Sequence, residues 1–136
     1  MKKAKFFLMS LLALVMCGFI TSCNPADILG YEEYFIVLDN VETNLIDPST
    51  GNSLKQAIWD EFKFAQSGSK NQSLGKLKSE EVAKESFDQS CAVIEDAYET
   101  AYNGVMPSGG YIKYYLSLRM QSANGYEVTS KTVTIR

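Results

Sequence analysis

The stretch from Tyr111 to Ile135 constrains the fold more than any other part of this 136-residue chain. Ile112, Tyr114, Leu116, Leu118 and Met120 alternate with Tyr111, Lys113, Tyr115, Ser117, Arg119 and Gln121. Side chains on a strand point alternately to opposite faces, so this period of two predicts a half-buried strand with the even-numbered residues inward. Asn124-Gly125 follows, a pair favoured where both central residues of a tight turn need positive φ. Residues 126–135, rich in Thr and Val, then read as the returning strand of a hairpin. The apolar parity changes between Tyr126 and Val128 on one side and Val133 and Ile135 on the other, which predicts a bulge near Ser130.

A hairpin with one apolar face needs a cover, and the sequence upstream has helical periodicity to supply it. Ser79 precedes Glu80 and Glu81, an N-cap followed by an acidic first turn that suits the positive end of a helix dipole. The buried stripe of this predicted helix is Phe87, Cys91, Ile94, Tyr98 and Ala101, and Asn103-Gly104 provides its stop. An earlier helix is predicted over residues 54–65. Ser53 and Gln56 have capping-box spacing there, and Leu54, Ile58 and Phe62 recur at steps of four, with Trp59 at the edge of the core. Residues 34–38, Tyr-Phe-Ile-Val-Leu, read as a short strand covered on both faces. The polar, glycine-containing residues 66–78 read as a long loop. The predicted fold is α+β, with two helices on one face of a small, mainly antiparallel sheet in the order β-α-α-β-β. Three strands make a thin sheet, which leaves room for a further strand over residues 41–46 or for pairing between chains.

The beginning of the chain predicts an address. Lys2, Lys3 and Lys5 precede an uncharged apolar run from Phe6 to Ile20, the profile of a signal peptide and shorter than the roughly 20 residues of a spanning helix. The run ends in Ile20-Thr21-Ser22-Cys23, which resembles the lipobox of bacterial lipoproteins. The resemblance implies that residues 1–22 are removed and that Cys23 receives the lipid and becomes the first residue of the mature protein. Cys17 follows a bulky Met16 and fits that pattern less well. Residues 23–30 then form a lipidated tether, broken by Pro25 and Gly30, and residues 31–136 a single domain. Asn24-Pro25-Ala26-Asp27 carries neither a clear retention nor a clear surface-export signal. The expected location is therefore the outer membrane, anchored by lipid and facing the periplasm. Two or three acyl chains hold a protein stably, since each buried methylene contributes about 0.8 kcal/mol.

Charge and residue types then exclude whole classes of chemistry. The leader carries three of the 13 Lys and Arg and none of the 16 acids, which leaves the mature chain at −6. Nucleic acid, which rewards clustered cations, is not the expected partner. The chain contains no histidine, so Ser-His and Cys-His nucleophiles and histidine-ligated zinc are ruled out. Cys91 is alone in the mature chain once Cys17 is lost and Cys23 acylated; on the apolar stripe of a helix it reads as a buried structural thiol. Asp60-Glu61 and Glu95-Asp96 are the adjacent acid pairs available to a carboxylate-dependent hydrolase, but both fall on outer helix faces. No cofactor or metal signature is present: the Gly- and Lys-containing stretches around Ser67 to Lys70 and Ser73 to Lys76 lack phosphate-loop spacing.

One feature is less well explained as pure scaffold, although tyrosine also suits a solvated β-surface. The outward parity of the alternating strand places Tyr111, Lys113, Tyr115 and Arg119 in a row, aromatic faces beside cations that can stack on sugar rings or anchor a protein. The sequence therefore reads as a lipid-anchored, non-enzymatic binding module for a glycan or another envelope protein. A structural subunit pairing through exposed strands, as a homo-oligomer, is the alternative, and a small carboxylate-dependent hydrolase the third reading.

Overall fold

A computed structural model describes residues 32–64, 67–121 and 126–136. The proposed signal peptide, Cys23, the tether and the Asn124-Gly125 turn lie outside the described residues. Among the described residues, six elements run in the order β1 (Glu32–Thr43), α1 (Lys55–Glu61), β2 (Asn71–Leu77), α2 (Glu80–Tyr102), β3 (Ile112–Met120) and β4 (Tyr126–Ile135). The class is α+β, as expected, but the order is β-α-β-α-β-β. A strand stands between the helices, and the sheet has four antiparallel strands in the order β2-β1-β3-β4.

The hairpin of β3 and β4 carries the predicted alternation. Ile112, Tyr114, Leu116 and Leu118 are buried and face the core, and the ladder runs from Ile112 opposite Ile135 to Met120 opposite Tyr126. Its bulge falls at Val128, between the pairs Leu118–Thr129 and Arg119–Glu127, two residues from the expected position. The extra residue restores inward parity to Val133 and Ile135, both buried.

β1 is longer than expected and is covered on one face, not two. Tyr34, Ile36 and Leu38 are buried while Phe35 and Val37 are only half-buried. The strand runs on past Leu38 because a bulge at Asp39 keeps Val41 in the core, pairing it with Tyr114. The separate strand expected over residues 41–46 is thus the continuation of β1 to Thr43, followed by an isolated bridge from Ile46 to Ser53. The fourth strand is β2, inside the segment expected to be a loop. Gln72, Leu74 and Leu77 are buried there, a spacing of two and then three. A bulge on β2 causes the break: Tyr34 pairs with Gly75 and Phe35 with Ser73, and Gly75 takes φ +81°, a conformation open to glycine at little cost.

α2 matches its sequence signals. The Ser79 side chain accepts a hydrogen bond from the Val82 N–H at 3.2 Å, a cap worth about 0.5–2 kcal/mol against alanine. Phe87, Cys91, Ile94 and Tyr98 are buried, joined by Ala83, Ser90 and Tyr102, whereas Ala101 is half-buried. The Tyr98 ring lies 4.6 Å from that of Tyr114 on β3, so α2 covers the inward face of the sheet.

α1 is shorter than the expected 54–65 and begins without the capping box. Ser53 Oγ accepts from the Lys55 N–H, and Gln56 donates to Asp60 instead. The helix stops at Phe62, whose ψ is 127°. Phe62 and Phe64 are both fully buried, and a spacing of two would put them on opposite sides of a helix. Extended backbone lets both enter the core, where Phe62 packs edge-on to Phe64 at 5.1 Å and against Tyr98 at 6.1 Å and Tyr114 at 5.6 Å. Within α1 itself only Ile58 is buried. The short helix contacts β1 but is not an equal second member of the layer that α2 forms over the sheet.

Candidate binding face of the sheet

The face of β3 turned away from α2 carries Tyr111, Lys113, Tyr115, Ser117 and Arg119 in one row, as the alternation predicts. Tyr111, Lys113, Tyr115 and Arg119 are half-buried rather than open, and Ser117 is fully shielded. The register adds Phe35, Val37, Asn40 and Glu42 of β1, opposite Arg119, Ser117, Tyr115 and Lys113 in turn. β4 adds Glu127, Ser130, Thr132 and Thr134 on the other side.

Two carboxylates of β1 organise the row. Tyr115 donates to Glu42 Oε1 at 2.6 Å, and Tyr111 approaches Glu42 Oε2 at 3.5 Å. The Lys113 ammonium lies 5.5 Å from the Tyr111 ring centroid, within cation–π range. At the other end Arg119 pairs with Asp39 at 3.1 Å and Glu127 at 3.6 Å, while its Nε donates to Ser117. The start of the row is fixed by backbone. The Asn44 amide donates to the Gly109 carbonyl and accepts from the Tyr111 N–H, and the Thr43 hydroxyl donates to the Tyr111 carbonyl at 2.7 Å.

The electrostatics follow from these bonds. The Tyr115 hydrogen bond holds the Glu42 carboxyl below the usual carboxylate range against the opposing effect of desolvation, and Lys113 adds to the lowering. The same bond pushes the Tyr115 hydroxyl up. Glu42 therefore stays ionised, unlike the protonated general acid of a glycosidase pair. The arrangement is a preset platform of rings, amides and paired charges.

The sequence reading missed both organising residues, Asp39 and Glu42. The signal was available: continuing β1 through one extra residue keeps Val41 inward and places Glu42 beside Lys113. It also missed a hollow of about 240 Å³ beside the platform, lined by Asp39, Asn40, Lys55, Gln56 and Trp59. Two larger hollows, about 330 and 420 Å³, flank the turn at Pro107 to Gly110, next to the start of the row; Asn44, which lines the first, already has its amide engaged in holding Tyr111.

The remaining candidates are separate from the face. Cys91 is buried, and burial pushes its thiol up to about 12, so it stays protonated and unreactive. Glu95 and Asp96 are exposed on the outside of α2, and Asp60 is exposed on α1. Lys70 donates to the Phe62 carbonyl and places its ammonium 5.2 Å from the Trp59 ring centroid. Among the described residues no cluster of side chains is arranged to hold a metal ion, and no helix is long and apolar enough to cross a membrane. No family model, curated protein or solved structure matches the chain.

Proposed function

We propose that this chain is a lipid-anchored, non-enzymatic binding module of the bacterial envelope, which holds a glycan along the sheet face opposite α2. The observation that carries the reading is the row Tyr111, Lys113 and Tyr115, in which two tyrosine hydroxyls meet one carboxylate. Tyrosine rings present flat apolar faces with polar tips, and here the Tyr115 tip is fixed on Glu42 before a ligand arrives, with the Tyr111 tip close to the same carboxylate. Preorganised rings lose little conformational freedom on binding, which favours affinity. The lipobox-like Ile20-Thr21-Ser22-Cys23 supports attachment through Cys23, with the periplasmic side of the outer membrane as the proposed location. The test is a glycan array probed with the full-length protein in detergent. Saturable binding to a restricted set of glycans is expected, and uniform absence of binding would refute the glycan reading.

A second reading, assembly through exposed strands, has one observation behind it: β4 forms an edge of the sheet and Tyr126 on it is 60% exposed. Two features of the same strand oppose it. The bulge at Val128 interrupts its pairing register, and Lys131 occupies an inward-parity position opposite Leu116. Bulges and inward-parity charges are devices that keep edge strands from pairing. Solution scattering over a concentration series separates the readings, since strand-mediated assembly makes the mass grow with concentration.

A further inference from the structure

We infer that the hollow between β1 and α1, lined by Asp39, Asn40, Lys55, Gln56 and Trp59, is a subsite for a single neutral sugar ring at the end of the platform. The inference rests on the glycan reading above and specifies where one ring of that glycan sits and what recognises it.

The hollow is continuous with the platform. Asn40 is the cross-strand partner of Tyr115, and Asp39 holds Arg119 at 3.1 Å, so two of the five lining residues already belong to the row. Asp39 is the extra residue of the β1 bulge, between Leu38 and Asn40, and bulges commonly re-aim side chains beside functional sites. On α1, Lys55, Gln56 and Trp59 fall at spacings of three and four and so share one side of the helix. Their neighbours Ile58 and Phe62 enter the core and fix that side relative to β1.

The chemistry of the lining narrows the ligand. Trp59 is half-buried, with the Lys70 ammonium, itself anchored on the Phe62 carbonyl, over one face of its ring; the indole is held by that contact, and its other face is the one suited to the apolar face of a sugar ring. Asn40 and Gln56 supply amides, which can both donate to and accept from hydroxyl groups. Lys55 and Asp39 carry opposite charges, and the carboxylates of Glu42 and Asp60 are close by, Glu42 under the influence of Lys55 and Asp60 bonded to Gln56. Arg119 on Asp39 and Lys70 over Trp59 stand among these carboxylates as well, so no net field of one sign favours an acidic ligand, and the amides suit the hydroxyl groups of a neutral ring. The volume, about 240 Å³, lies below the roughly 300–1,000 Å³ of pockets that enclose drug-sized ligands, which suits one ring with the rest of the chain lying along Tyr115 and Tyr111.

The chain has one tryptophan, so its intrinsic emission reports on this hollow directly. The full-length protein in detergent is titrated with malto-, cello-, manno- and xylo-hexaose and with an oligoglucuronate, and calorimetry is run in parallel. A saturable shift of the emission and reduced quenching by acrylamide with one neutral hexasaccharide are expected. Asn40→Ala with Gln56→Ala should then weaken binding at least tenfold while the melting temperature stays within a few degrees of the parent. If calorimetry records binding of a hexasaccharide but the emission does not move and the double variant binds like the parent, the subsite is overturned and the glycan platform stands. Preference for the oligoglucuronate overturns the neutral-ring assignment. If calorimetry records no binding to any of the five and a glycan array is blank as well, the platform and the subsite fall together.

Discussion

The Tyr115 hydroxyl donates a 2.6 Å hydrogen bond to Glu42 although the two are not opposite each other in the ladder: Tyr115 faces Asn40, and Glu42 faces Lys113. Diagonal neighbours on a sheet are within reach of long side chains, and this bond ties two strands of the proposed binding face together. Tyr115→Phe removes it. The Glu42 carboxyl, held low chiefly by that bond, should then titrate higher than in the parent, as read by carbon-detected NMR. A depressed carboxyl stabilises the fold above its unfolded-state pKa and loses that contribution as pH falls through its folded value. The Tyr115 hydroxyl is raised, so its contribution is present below about 10 and is lost as pH rises through its folded value. The difference in melting temperature between parent and variant should therefore be largest between about pH 5 and 9 and narrow on both sides. An unchanged Glu42 titration in the variant would refute the bond.

Cys91 sits at 1% exposure on the inward side of α2 with its thiol pushed up to about 12 by burial. It should resist thiol reagents in the folded protein and label only as urea unfolds it. Labelling of the native state at the rate of a free thiol would move Cys91 to the surface.

The aromatic cluster should dominate stability. Phe62 touches Phe64, Tyr98 and Tyr114 at once, so Phe62→Ala is expected to cost about 3–5 kcal/mol in urea denaturation. Trp59→Ala, at a half-buried position on the rim, should cost clearly less. Equal losses would mean that Trp59 belongs to the core and not to a ligand surface.

What the sequence disclosed, and what it hid, divides along physical lines. α2 and β3 were legible because their stripes are long and uninterrupted, and the Ser79 cap and the Asn124-Gly125 pair are chemically distinctive. β2 was not: a bulge turns the inward spacing of Gln72, Leu74 and Leu77 into two and three, which erases the period of two, and glycine and serine around it read as loop. α1 ends earlier than its pattern suggests, because the step of four from Ile58 to Phe62 continues the helical period while Phe62 itself is extended and Phe64 is buried beside it. The tyrosine row followed from parity alone. Its organisers, Asp39 and Glu42, did not, because a β-bulge one residue past the apparent end of β1 decides which face they share.

The proposed anchor has its own test. Cys23→Ala should abolish incorporation of labelled lipid and release the protein from membranes, whereas Cys17→Ala should leave both unchanged. Retained labelling in the Cys23 variant would refute the lipobox assignment.

The central claim, that the tyrosine row is the binding surface, is tested most directly by Tyr111→Ser combined with Tyr115→Ser in the full-length protein. Affinity is measured for whichever glycan the array identifies, alongside a thermal melt and a screen against envelope extract. The account predicts a melting temperature within a few degrees of the parent and at least a tenfold loss of glycan affinity. A variant that folds and binds like the parent, or one that melts far lower because these tyrosines were core, would contradict it.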